Sequence, residues 1–249
     1  MSTIGIYGDS FAGSHNESVH FSWYELLANK LNTSVFNYEN NTDNTYGSPA
    51  TSTFFSYKKF IEYSNMHEYN IFIASDAGKY TKFVDIFREK GPVAIPGINS
   101  LEWYLDDPDL RADAKDQLGR IRSWLLVSDD EYMQTAQELM LQNMERKLGK
   151  NLVILASDIH STFCPERKQN SCINFGLWDL ANLMYEEMGI TDETRPYVLN
   201  ERTDKISCHL SEEANHVLAD LLYTHIKTGE KMTLPKRIPH EYPWQHYFY

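Results

Sequence analysis

The sequence predicts an α/β protein, a three-layer α/β/α arrangement in which helices cover a parallel sheet, and three observations predict it. Short apolar runs alternate with amphipathic segments along most of the chain, the pattern of strands joined by crossover helices. The first run, Ile4-Gly5-Ile6-Tyr7, stops at Gly8-Asp9-Ser10, a turn at a strand's carboxyl end, where open α/β sheets keep their ligand crevice. With 249 residues, 42% of them hydrophobic, the chain can build one well-buried domain.

Taken in order, the first strand leads to Gly8, which permits a tight turn, and a helix starting just beyond would aim free N–H groups at the Ser10 site. Residues 21–31 carry Trp23, Leu26, Leu27 and Leu31 on one helix face, and residues 34–38 form a second short strand. The stretch from Glu39 to Pro49, with a lone Gly47, is too polar and turn-rich for a core. From Thr51 the pattern is helical through Phe54, Phe55, Tyr57, Phe60 and Ile61; residues 69–74 then form the third strand and deliver Ser75-Asp76-Ala77-Gly78 to the same sheet edge.

Between residues 79 and 150 the alternation lapses into a mostly helical insertion, read either as a long crossover or as a lid beside the site. Its strongest helices are residues 109–127 and 129–148, the second capped by Ser128 or Asp129 and ended by Gly149, while Gly91-Pro92 breaks the segment internally. The sheet pattern resumes with a fourth strand at residues 151–156, a helix at 178–188, a short last strand at 196–199 and a final helix at 211–226. Residues 1–228 therefore read as one domain with an insertion at about 79–150. The segment 229–249 is a tail rich in Pro and aromatics, expected to dock on the domain because it is too aromatic to be freely solvated.

Composition narrows the function classes. A formal net charge of −12 disfavours nucleic acid as a partner, since phosphate backbones are neutralised by Lys and Arg. No run approaches the roughly 18 apolar residues of a membrane span. Three cysteines point to a reducing compartment and not to a disulfide framework. No basic region followed by an apolar run opens the chain, so the expectation is no secretory signal and a cytoplasmic location, or virion or host cytoplasm for a viral chain.

The chemistry-bearing residues lie at the two ends of the sequence. Ser10 sits on the first turn, and Cys208-His209-Leu210-Ser211 precedes the final helix. A serine and a histidine on loops at helix starts form a candidate nucleophile and base. In their order along the chain, Gly8-Asp9-Ser10, the lone Gly47 in a polar loop and His209-Leu210-Ser211 before the last helix resemble the SGNH/GDSL hydrolase family.

The resemblance implies a flavodoxin-like parallel sheet and ester hydrolysis without a cofactor: Ser10 as nucleophile, His209 as base, and the N–H groups of Ser10 and Gly47 as oxyanion donors. The expected substrate is a small ester, with an acetyl group on a carbohydrate as the family-based example. Two positions depart from the family pattern. Where an asparagine is typical after the third strand, the chain has Ser75-Asp76; an ionised Asp76 repels an oxyanion and donates only if burial keeps it protonated. The Gly78 N–H or the Ser75 hydroxyl is the substitute. Three residues before the histidine, where the family places an aspartate, stands Ile206, and Asp204 is the nearest replacement acid.

Plainer readings stand beside these. Gly-Asp-Ser is also ordinary turn chemistry, in which Asp9 bonds its own backbone; Asp9 beside Ser10, and Ser75 at the same sheet edge, are nevertheless read as candidate substrate contacts. Cys208 is discounted as a nucleophile because adjacent side chains on an extended segment point to opposite faces. His160, Cys164, Cys172 and His209 match no compact zinc motif, so no metal is expected. His15 is a candidate substrate contact or helix cap, and Tyr46, Trp103 and Trp124 are candidate pocket aromatics or core. From another class comes the reading of a degenerate domain serving as a binding or structural module of a larger assembly, such as a virion.

Overall fold

A computed structural model describes residues 2–13, 22–36, 46–47, 53–75, 83–84, 93–94, 110–111, 114–127, 130–157, 175–190, 206–207 and 209–238. Its centre is β1 (Thr3–Gly8), whose last five residues are all buried. Parallel pairing joins β1 to β4 (Tyr69–Ala74) through Ile4↔Tyr69 to Tyr7↔Phe72, and β4 to β7 (Leu152–Ala156) through Asn70↔Leu152 to Ala74↔Ala156. The other edge of β1 takes two short partners, β2 (Ser34–Val35) at its start and β3 (Tyr46–Gly47) at its end. The order is β2-β1-β4-β7, all parallel, with β3 beside the carboxyl end of β1. Strands buried on both faces read as continuous apolar runs, which is why β4 and β7 were legible from Ile71-Phe72-Ile73 and Val153-Ile154-Leu155.

Helices cover the sheet in two groups. Helices α1 (Trp23–Leu31), α5 (Leu177–Glu187) and α6 (Glu212–Thr228) pack together, while α2 (Thr53–Tyr63) packs on β1 and on α4 (Asp130–Leu148). Helix α3 (Ala114–Val127) precedes α4. Trp23, Leu27, Leu218 and Leu222 belong to one continuous apolar core with Ile4, Ile6 and Ile71. Helix α6 stops where Gly229 takes a left-handed φ of 76° and its N–H donates to His225 O at 2.8 Å. Beyond it, Met232 and Ile238 are buried, and the Ile238 N–H donates to the Glu187 carboxylate. Among the described residues no helix is long and apolar enough to cross a membrane.

Several expectations are corrected. Directly after Ser10 the chain is not helical but in a turn at residues 9–12, closed by the Ala12 N–H donating to Asp9 O at 2.9 Å; residues 14–21 lie outside the described residues, and α1 spans Trp23–Leu31. The second strand pairs through Ser34–Val35, shorter than the 34–38 expected. Beside its helices the mostly helical insertion also holds a small hairpin, β5 (Phe83–Val84) with β6 (Val93–Ala94), paired antiparallel across Gly91-Pro92, which the sequence did not suggest. A second small hairpin, β8 (Ile206–Ser207) with β9 (Leu210–Ser211), carries the histidine. The expected strand at 196–199 and the tail from residue 239 onward lie outside the described residues.

Candidate active site

The serine turn is built from beneath. Gly8 ends β1 at φ 150°, and a Cβ there would stand 2.6 Å from Ile73 Cβ, so only glycine lets the chain leave the sheet at this point. The Gly8 carbonyl accepts the Ser56 hydroxyl of α2 at 3.1 Å. Asp9, 1% exposed, turns its carboxylate inward: Oδ1 accepts the Phe11 N–H at 3.1 Å and Oδ2 accepts the Ser75 hydroxyl at 2.8 Å. A side chain bonding the backbone two residues on is the Asx-turn geometry that aspartate favours. Ser10 sits at the tip of that turn, half-buried.

Beneath the turn, the end of β4 is anchored by a buried polar network. Thr53 Oγ1 accepts the Ser75 N–H at 2.8 Å, and the Ser75 carbonyl accepts both the Thr53 hydroxyl at 3.1 Å and the Gln137 side-chain amide at 3.1 Å. Gln137 lies on α4, so the insertion is tied directly to the strand end that supports the serine turn.

His209 lies in the turn of the β8–β9 hairpin and holds a left-handed φ of 65°, uncommon for a residue with a Cβ. Its Nε2 lies 2.6 Å from Ser10 Oγ across 199 residues of sequence. The imidazole is flanked by Phe11, with ring centres 4.9 Å apart, and by Trp178, at 5.0 Å. Trp178 is the second residue of α5, and its N–H donates to Ser157 O just past β7. The site therefore gathers the carboxyl end of β1, the residue following β7 and the histidine hairpin, the edge at which open parallel sheets form their crevice.

Of the residues singled out from the sequence, Ser10 and His209 meet directly, and β3 sets Gly47 beside Gly8. Asp9 and Ser75, read from the sequence as substrate contacts, are brought to each other beneath the turn. Each is 1% exposed and they bond one another, which places them under the turn as its support. The Ser75 hydroxyl is likewise unsuited to serve as an oxyanion donor, because its one proton goes to Asp9. Asp204, Asp76 and Gly78 lie outside the described residues, as do His15, Trp103, His160, Cys164, Cys172 and Cys208; so do the side chains of Tyr46 and Trp124. Ile206 stands in β8, paired with Ser211.

Sequence reasoning missed Trp178, Thr53, Gln137 and Asn215. Their patterns signal only helix starts and helix interiors, and their contacts are long-range.

No family model and no curated protein sequence matches this chain. Among solved structures, the crystal structure of the lipase/acylhydrolase from Enterococcus faecalis is similar at a TM-score of 0.37 and 13% identity, covering 94% of this chain and 100% of that one. A likeness this loose assigns no residue a role, and the candidate site rests on its own geometry.

Proposed function

We propose that this chain is a serine hydrolase of the SGNH type acting on a small ester. The observation that carries the reading is the 2.6 Å approach of Ser10 Oγ to His209 Nε2 at the carboxyl edge of a parallel sheet. With His209 as the Nδ1–H tautomer, the hydroxyl donates to Nε2. Attack of Oγ on the ester carbonyl passes that proton to the imidazole, which returns it to the departing alcohol as the C–O bond breaks. Water, deprotonated by the same imidazole, then attacks the acyl-Ser10 ester, and the imidazolium returns that proton to Ser10 Oγ as the acyl C–Oγ bond breaks and the acid leaves. The oxyanion would meet the Ser10 N–H and the Gly47 N–H, the second supported by the pairing of Gly47 beside Gly8. Asp204 as the acid behind His209, and Asp76 or Gly78 as a third oxyanion donor, complete the proposal.

A second reading, a binding module without turnover, is favoured by one observation. Ser75, the first residue after β4, gives its hydroxyl to Asp9 and its N–H to Thr53, so neither group faces a substrate oxygen. The deciding experiment is labelling with a fluorophosphonate, mapped by mass spectrometry, on the natural chain, Ser10→Ala and His209→Ala. Modification confined to Ser10 and slowed without His209 is the expected result. A folded natural chain that takes no label rejects the hydrolase in favour of the binding module.

A further inference from the structure

The candidate nucleophile and base come from loops 199 residues apart, and two buried side chains span the gap between those loops. Trp23 is wholly buried at the first turn of α1, and its indole Nε1–H donates to the Phe11 carbonyl, one residue past Ser10, at 2.9 Å. Its backbone N–H donates to Asn215 Oδ1 at 2.8 Å. Asn215, wholly buried on α6, donates through Nδ2 to the carbonyls of Leu210 at 3.0 Å and Ser211 at 2.9 Å, the two residues that follow His209.

We infer that Trp23 and Asn215 form a strut that sets the distance between Ser10 and His209, and that both are positioning residues of the proposed site. The inference rests on the Ser10–His209 reading above. Ser22, the residue at the N-cap of α1, makes no side-chain cap bond, and the Trp23 N–H of the first helical turn goes instead to a side chain 192 residues away. An ordinary cap asks only for a local oxygen. Here the same amide that caps α1 also grips the histidine turn, and the same tryptophan grips the serine turn. Each end of the chain of bonds stops one or two residues from a reacting side chain, so displacing any link moves one loop against the other. His209 holds its left-handed backbone with these two carbonyls immediately after it.

The test reads the contact itself as well as reactivity. Imidazole 15N resonances of His209 are recorded with and without Ser10→Ala, in the natural chain, in Asn215→Asp, which keeps the acceptor and loses both donors, and in Trp23→Phe, which keeps an aromatic ring and loses the indole N–H. Fluorophosphonate labelling rates are measured alongside, and circular dichroism establishes that each variant is folded. In the natural chain Ser10→Ala shifts the Nε2 resonance. In Asn215→Asp that response disappears, and labelling slows about a hundredfold, the usual consequence of roughly 1 Å of misplacement. Trp23→Phe weakens both readouts in the same direction, and it carries the test if Asn215→Asp does not fold. A full His209 response to Ser10→Ala in folded Asn215→Asp or Trp23→Phe overturns the strut. If the natural chain takes no label, but its His209 response is present and is lost in these variants, the strut stands and the hydrolase reading falls. No response in the natural chain overturns both.

Discussion

Strand β1 carries a histidine–hydroxyl pair near each end, and the two pairs resemble each other closely. At the amino end, His67 Nδ1 lies 2.9 Å from Thr3 Oγ1, with the rings of Phe36 and Tyr7 at 5.0 and 6.5 Å. At the carboxyl end, His209 Nε2 lies 2.6 Å from Ser10 Oγ, between Phe11 and Trp178. The difference lies in what surrounds them. Thr3 is part of the sheet, and His67, 8% exposed, is driven by burial to a pKa of about 4, a neutral packing residue at ordinary pH. Ser10 and His209 are turn residues, each half-buried. A hydroxyl close to an imidazole is therefore not enough to suggest catalysis; the edge of the sheet and access to the proton decide.

The sharpest way to break this comparison is to remove each hydroxyl in turn. Ser10→Ala is expected to abolish fluorophosphonate labelling and His209→Ala to slow it by about 10²–10⁴-fold, the range for loss of a general base. Thr3→Ala should leave the rate within about twofold. Labelling that survives Ser10→Ala and vanishes with Thr3→Ala would reverse the assignment of the two ends.

Next in size is the backbone that lifts Ser10 clear of the sheet. Gly8→Ala drives a Cβ against Ile73 at a positive φ, and overpacking together with strain should cost about 3 kcal/mol, read as a lowered urea midpoint. A midpoint unchanged from the natural chain would show that the turn does not need glycine. Smaller still, Ser75→Ala takes the hydroxyl from a buried carboxylate oxygen of Asp9. About 1–3 kcal/mol of stability should be lost, with a slower Ser10 label because the turn loses its lower anchor; equal stability would mean that Asp9 finds another donor.

The amino-end pair makes its own prediction in pH. The folded pKa of His67 lies below the ordinary value of 6.5, so the unfolded chain binds a proton that the folded chain refuses. Stability from this group is complete above pH 6.5 and is lost as the pH falls toward 4. Glu68, held low by hydrogen bonds from Ser2 and Tyr69, contributes its own loss only below about 4.5. Denaturation midpoints measured from pH 7.5 to 4.5 should slope in the natural chain and flatten in His67→Gln. An identical slope in both would place the titration elsewhere.

Much of this was legible residue by residue, and the reason is local. The run Tyr69 to Ala74 reads as a buried strand and is one, because Ile71-Phe72-Ile73 has no polar residue to turn toward water. Asp9 was read correctly as a turn former, since an aspartate bonds its own backbone whatever lies around it. Its second bond, to Ser75, was not legible, because it crosses 66 residues. The histidine hairpin escaped notice because two-residue strands are too short to show a period. The same is true of β5 and β6 within the insertion.

By itself the sequence determined the alternation of strands and helices, the turn at Gly8-Asp9-Ser10 and the candidacy of Ser10 and His209, because periodicity, turn chemistry and functional groups are properties of neighbouring residues. Only the tertiary structure decided that Ser10 and His209 touch, that Asp9 and Ser75 support the turn from below, and that Trp23 and Asn215 link the two loops. Those bonds join segments far apart in the chain, and burial and register bring them together only once the sheet has closed under its helices.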